Sequence, residues 1–252
     1  MRTVLVTGGG RGIGRAIALA FAGADTTVFV AARTTAELRS TAYEIDKAGG
    51  RSRAVRMDVT DPSSIDRAFS DMHETADSLD VVVNNAGVGG GEPIADSDIG
   101  RWRRIIDTNI FGTYLVSRRA VPLMRDGGRI INISSVLGRF GVAGYTAYCA
   151  SKHAIIGFTR ALALELAPAQ ITVNAICPGW VETDMAKEGM NLGAKAMNIS
   201  YEEFRKRALG AVPIKRIIQP DEVAGLVTFL ASAGASAITG QTYNICGGQT
   251  MD

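Results

Sequence analysis

The chain of 252 residues carries 27 Lys+Arg against 25 Asp+Glu, a formal net charge of +2, with 46% hydrophobic and 21% charged residues. That balance belongs to a globular protein with a sizeable core, and it offers no electrostatic basis for binding nucleic acid or a membrane surface. No apolar run approaches a membrane span. Cys149, Cys177 and Cys246 are odd in number, far apart and without metal-ligand spacing, as expected of free thiols in a reducing cytoplasm.

Taken in chain order, Met1-Arg2-Thr3-Val4-Leu5-Val6 reaches glycines too soon for a signal-peptide core and reads as a first strand. Predicted strands are Thr3–Thr7, Thr27–Ala32, Arg53–Asp58, Val81–Asn84, Arg129–Ser134, Thr172–Ile176 and Thr242–Ile245. Several are apolar on consecutive positions, the pattern of parallel strands covered on both faces. Segments of helical period lie between them, at Ile13–Phe21, Thr35–Ala48, Pro62–Thr75, Asp98–Met124, Ala147–Ala167 and Asp221–Ala231. Asp61-Pro62-Ser63 and Gln219-Pro220-Asp221-Glu222 carry the cap-and-proline chemistry of helix starts. The alternation predicts an α/β fold: a single-domain, Rossmann-type doubly wound parallel sheet of about seven strands with helices on both faces, spanning 1–252. Residues 183–210, with Met185, Met190, Met197 and three glycines, are too long for an ordinary loop and read as a mobile helical insertion over a site. Those methionines suit an adaptable apolar wall or packing onto the domain's own core.

Thr7-Gly8-Gly9-Gly10-Arg11-Gly12-Ile13-Gly14 follows the first strand and opens the first helix. Glycines there allow a tight turn and a close approach of backbone to a pyrophosphate, whose charge the helix N-terminus stabilises. Dinucleotide folds that take NAD place an acid about twenty residues on; this chain has Ala31-Ala32-Arg33-Thr34. Arg33 offers a cationic fork for a 2′-phosphate, with Arg11 as a second clamp, so NADP(H) is the expected cofactor. Glu37, the nearest acid, suits the first turn of the next helix.

Tyr148 and Lys152 stand at i and i+4 and share a helix face, so the ammonium is expected to draw the phenol pKa down toward the working range. Ser135, at the end of Asn132-Ile133-Ser134-Ser135, could bond the substrate oxygen that the phenol protonates. A Tyr-x-x-x-Lys spacing by itself also arises by chance, and its context decides. Tyr145 has no lysine at that spacing, His153 falls on another helix face, and Cys149 lacks an evident base and reads as a packing residue.

With the glycine turn, Asn84-Asn85-Ala86-Gly87, Ser135 and Tyr148-x-x-x-Lys152 in this order, the whole chain resembles the short-chain dehydrogenase/reductases. Pro178-Gly179-Trp180-Val181-Glu182-Thr183-Asp184-Met185 and the stretch from Ile238-Thr239-Gly240-Gln241 to Gly247-Gly248 resemble the 3-oxoacyl-(acyl-carrier-protein) reductases. The long insertion, followed by Val212-Pro213-Ile214, is similar to the ketoreductases of aromatic polyketide synthesis. The resemblance implies Tyr148 as acid in ketone reduction, Lys152 tuning it and binding the nicotinamide ribose, Ser135 polarising the carbonyl, and Asn109 kinking the long helix and holding a relay water. It also implies cofactor contacts from Gly8, Gly10, Arg11, Gly12, Ile13 and Gly14, from Asp58 and Val59 around the adenine, and from Asn85, Ala86 and Gly87 along the ribose. Pro178, Gly179, Val181 and Thr183 would lie beside the carboxamide and phosphates. The expected activity is an NADPH-dependent ketoreductase acting on a 3-oxoacyl thioester, polyketide or similar ketone, either free or bound to a carrier protein, and the expected assembly is a homotetramer. An oxidative alcohol or hydroxysteroid dehydrogenase and a non-catalytic dinucleotide-binding protein are the alternatives.

Overall fold

A computed structural model describes residues 2–251. Seven strands, β1 (Arg2–Thr7), β2 (Thr26–Ala32), β3 (Arg51–Arg56), β4 (Leu79–Asn84), β5 (Met124–Ile133), β6 (Thr172–Pro178) and β7 (Thr242–Ile245), form one sheet in the order β3-β2-β1-β4-β5-β6-β7. Every pairing is parallel. Consecutive residues of a strand serve opposite faces. Val4 and Val6 of β1 and Val81 and Val83 of β4 join one apolar cluster, while Leu5 and Val82 join the other. This two-sided demand explains the unbroken apolar runs of the central strands.

On the first face pack α1 (Gly12–Ala20), α2 (Thr35–Lys47) and α9 (Pro220–Leu230), through Ile17, Leu38, Ile45, Val223, Val227 and Leu230. On the second lie α3 (Pro62–His73), α5 (Gly112–Ala120) and α6 (Thr146–Leu166), through Ile65, Phe69, Leu115, Val116, Ala163 and Leu166. The predicted starts hold: Asp61 Oδ1 accepts the Ser63 N–H at 2.9 Å, and Gln219 with Glu222 forms a capping box ahead of Pro220. No helix among the described residues is long and apolar enough to cross a membrane.

Three expectations need correction. The helix predicted over Asp98–Met124 is α4 (Ile99–Ile106), a π-helical segment at Asp107–Phe111, and α5; a 3-10 turn at Val121–Leu123 then ends it. Pro122 supplies no N–H to continue a helix, and Met124 opens β5, paired with Leu79 before a register shift. Secondly, β3 pairs from Arg51 opposite Thr27, so Asp58 lies beyond the strand. Thirdly, Ser134 follows β5 rather than ending it. The 183–210 segment is helical as expected, folded as α7 (Asp184–Ala196) and α8 (Tyr201–Gly210).

The strand order reverses between β1 and β4, which places a crevice at the carboxyl ends of the strands. A buried polar chain crosses the sheet just beneath it. Asn84 Nδ2 donates to Ser117 Oγ at 3.0 Å and to Asn132 Oδ1 at 2.8 Å, and Asn132 Nδ2 donates to Thr159 Oγ1 at 2.9 Å. It ties β4 and β5 to α5 and α6. Asn132→Ala leaves an amide and a hydroxyl buried with lost partners and should lower unfolding stability by about 2–4 kcal/mol. Thr159→Val should cost less than half as much, and denaturant unfolding of the two variants measures both.

Candidate active site

From Thr7 the chain turns into α1 through Gly8 and Gly12, whose φ values of 64° and 54° only glycine adopts freely. A Cβ on Gly14 would lie 2.2 Å from the Gly8 carbonyl oxygen and 2.4 Å from Asn85 Nδ2. Asn85 is the clamp of this turn: its Nδ2 donates to the Thr7 and Gly8 carbonyls at 2.9 and 3.2 Å. The main-chain N–H groups of Asn85 and Ala86 donate to Thr7 Oγ1 at 3.0 and 3.1 Å. α1 begins with no side-chain cap and no acid in its first turn, so the N–H groups around Gly12, Ile13 and Gly14 and the helix dipole are left to an anion.

Gly9 N–H donates to the Ala31 carbonyl at 3.2 Å, which sets the turn beside the end of β2 and Arg33. Arg11 and Arg33 are both exposed, and neither is ion-paired among the described residues. Glu37 lies in the first turn of α2 against Gly10, as expected. Asp58 Oδ1 accepts the Thr60 N–H and O–H at 3.0 and 2.8 Å, closing its own turn, while Val59 is buried against α5. Val181 is a core residue bridged to Ile218, and its carbonyl accepts the Thr183 hydroxyl at 3.2 Å. Thr183 caps α7 by accepting the Ala186 N–H at 3.3 Å, and its methyl lies 3.3 Å from where a Cβ on Gly12 would be. The stretch from Pro178 to Thr183 therefore meets the glycine turn across the crevice, with Gly179 N–H held by the Ile245 carbonyl at 3.1 Å. An uncapped helix start, a turn closed to any side chain at Gly14 and two free arginines fit a dinucleotide phosphate.

Across the crevice, α6 carries Tyr148 and Lys152 to the end of β5. Lys152 is buried, and its Nζ donates to the Ile133 carbonyl at 2.8 Å; Ser134 Oγ donates to the Lys152 carbonyl at 2.8 Å. Ser135 Oγ accepts the Leu137 N–H at 3.1 Å, and its hydroxyl faces the Tyr148 phenol, whose ionised form it favours. Asn109 sits in the π-helical segment, fully buried, with Oδ1 accepting the Val88 N–H at 2.8 Å. Its Nδ2 donates to the Val88 carbonyl and to Ser151 Oγ, both at 3.0 Å, and Ser151 Oγ donates to the Tyr148 carbonyl at 2.8 Å. Gly87 lies between Asn109 and Lys152. Thr7, Ser134 and Ser151 escaped the sequence reading, although Ser151 stands three residues after Tyr148 on one helix. His153 is exposed, its ring on the Cys149 carbonyl, and Tyr145 packs on Gly91.

One expectation fails here. Burial pushes the Tyr148 phenol up to about 12, against the lowering effect of Ser135, and burial draws the Lys152 ammonium down to about 8. Nζ lies 5.6 Å from the Tyr148 ring centroid, bonded to a carbonyl rather than to the hydroxyl. Desolvation outweighs a charge placed over the ring.

Over residues 8–250 the chain matches the family model described as enoyl-(acyl carrier protein) reductase. The chain belongs to the short-chain dehydrogenase/reductase family. It is 37% identical to the 3-oxoacyl-(acyl-carrier-protein) reductase FabG of Aquifex aeolicus, an alignment covering 97% of this chain and 95% of that one. It is 38% identical to the 3-oxoacyl-(acyl-carrier-protein) reductase of a Synechocystis strain, covering 99% and 97%. A variant of the actinorhodin polyketide ketoreductase, crystallised with NADPH, superposes with a TM-score of 0.93 at 40% identity, covering 98% of this chain and 97% of that chain.

The Lys152 shift sets a pH dependence. Between about pH 8 and the ordinary lysine value near 10.4 the unfolded chain binds the extra proton, so stability rises with pH across that window. Unfolding free energy should increase by on the order of 2 kcal/mol from pH 7.5 to 9.5 relative to Lys152→Met. Equal pH dependence in the two proteins would contradict it.

Proposed function

We propose that this protein is an NADPH-dependent ketoreductase in which Tyr148 protonates the carbonyl oxygen as a ketone becomes an alcohol. The observation that carries the reading is the gathering of Ser135, Tyr148 and buried Lys152 at the carboxyl end of β5, with Lys152 Nζ 5.6 Å from the Tyr148 ring centroid. When bound, NADPH supplies the hydride to the carbonyl carbon. Gly8, Gly10, Arg11, Gly12, Ile13 and Gly14 would hold its pyrophosphate, Arg33 and Arg11 its 2′-phosphate, Asp58 and Val59 the adenine, Asn85, Ala86 and Gly87 the ribose, and Pro178, Gly179, Val181 and Thr183 the nicotinamide end.

Ser135 donates its hydroxyl proton to the carbonyl oxygen and orients it, and Tyr148 gives up its phenolic proton as charge grows there. Lys152 stabilises the resulting phenolate, and the Asn109–Ser151 link holds the first turn of α6. A phenol at about 12 is protonated at neutral pH and still far more acidic than the alcohol that forms when it protonates the alkoxide. The alternative dehydrogenase reading would use the same residues, with Tyr148 as the base. The names of the two reductases above support 3-oxoacyl thioesters as substrates, and that of the polyketide enzyme supports polyketones. α7 and α8 would form a lid with Met185 against Gly89, close to Tyr148. The assembly would be a homotetramer in the cytoplasm.

Tyr148→Phe should lower kcat for ketone reduction at least ~10³-fold and leave NADPH affinity within about threefold. Comparable residual activity would refute the role, as would efficient reduction of an enoyl thioester in place of a 3-oxoacyl one. For the cofactor, kcat/KM with NADPH should exceed that with NADH, Arg33→Ala should shrink the ratio ~10-fold or more, and Ala32→Asp should tip it toward NADH. In the oxidative direction kcat/KM should climb with pH below about 8, where a still-charged Lys152 faces the phenolate.

A further inference from the structure

The far end of the sheet, at the amino ends of the strands, holds a cavity of about 400 Å³ lined by Arg2, Asp80, Gly127, Arg129, Ala231 and Ala233. Arg129 is 8% exposed and has no carboxylate partner among the described residues. Its Nη1 donates to the Gly127 and Gly128 carbonyls, while its Nε is buried with no partner. A buried guanidinium held by neutral carbonyls on one edge and by nothing at Nε is costly unless a counter-charge reaches it.

Arg2 lines the same cavity. Its Nη2 donates to the Ala231 carbonyl, and its guanidinium stacks 5.6 Å from the Phe21 ring centroid. Burial and the charge of Arg129 both oppose the charge of Arg2, and Asp80 favours it. Asp80 is already engaged: Oδ2 accepts the Thr3 N–H at 2.7 Å, and Oδ1 lies 3.9 Å from Arg125 Nη1. Two cations thus line one cavity with a single carboxylate, and that carboxylate is committed elsewhere.

We propose that this cavity is a second anion site, in which a phosphate group bridges the guanidinium groups of Arg129 and Arg2. Both side chains are planar forks suited to phosphate oxygens, and the volume admits a phosphomonoester as readily as free phosphate. β1, β4 and β5 start at this cavity and end at Thr7, Asn84 and Ile133, so an anion here braces the strands that carry the active site.

Calorimetric titration with orthophosphate at constant ionic strength tests it, with NADPH present so that the glycine turn is filled. Saturable binding with a millimolar or tighter Kd is expected, with a rise in Tm of roughly 2–4 °C at saturation. Arg2→Gln should weaken binding at least ~10-fold without changing ketone reduction, and Asp80→Asn should tighten it, because the competing carboxylate is gone. These two comparisons read the same with or without NADPH, so they stand apart from the fate of the cofactor assignment. Glycerol 3-phosphate in place of orthophosphate separates the sources: tighter binding assigns a phosphorylated metabolite, equal or weaker binding assigns free phosphate. Absence of saturable binding, or an affinity indifferent to both substitutions, overturns the proposal.

Discussion

The docking of α6 onto the end of β5 is the constraint on which the site depends. Two hydrogen bonds of 2.8 Å make it: Lys152 Nζ to the Ile133 carbonyl, and Ser134 Oγ to the Lys152 carbonyl. Strand β5 ends at Ile133, so these bonds satisfy groups that the sheet leaves open, at a point where water is excluded. Gly138 has to be bare for the same reason, since a Cβ there would lie 2.7 Å from Ser134 Oγ and 2.8 Å from the Lys152 carbonyl oxygen. Once α6 is fixed in this way, Tyr148 is held on the turn that precedes Lys152, beside Ser135.

Burial then sets the chemistry. The same desolvation acts on Tyr148 and Lys152 in opposite senses, keeping the phenol protonated and making the ammonium easier to neutralise. An acid waiting with its proton suits a reduction in which basicity appears at the substrate oxygen. Lysine thus matters less as a means of lowering the resting phenol than as a cation ready to stabilise the phenolate once it forms.

Polar side chains that look like ligand contacts are largely occupied in holding the backbone. Asn85 clamps the glycine turn, Asp58 closes the turn after β3, and Asn109 spends its amide on Val88 and Ser151. What they leave available is main chain: the uncapped start of α1 and the loop from Asn85 to Gly87. A dinucleotide is long and charged mainly at its phosphates, so a site built from rigid backbone and exposed arginines binds it without burying ionised side chains.

The alternation of strands and helices, the sheet's double burial, the glycine turn and the membership of Tyr148, Lys152 and Ser135 in one site were legible in the chain, because each rests on local periodicity or on short spacings. Helix ends were less so: Pro122 marks the stop of α5, but Met124 joins β5 through pairing with Leu79, a partner 45 residues away. The roles of Thr7, Ser134 and Ser151 needed the tertiary structure, since Thr7 and Ser134 bond main-chain groups on other elements and Ser151 accepts from the Asn109 side chain. So did the sign of the Tyr148 shift. Sequence places a cation four residues from a phenol, and adjacency alone predicts a lowered pKa. Only the folded chain decides how much water each group loses and which atom the ammonium faces, and there desolvation won.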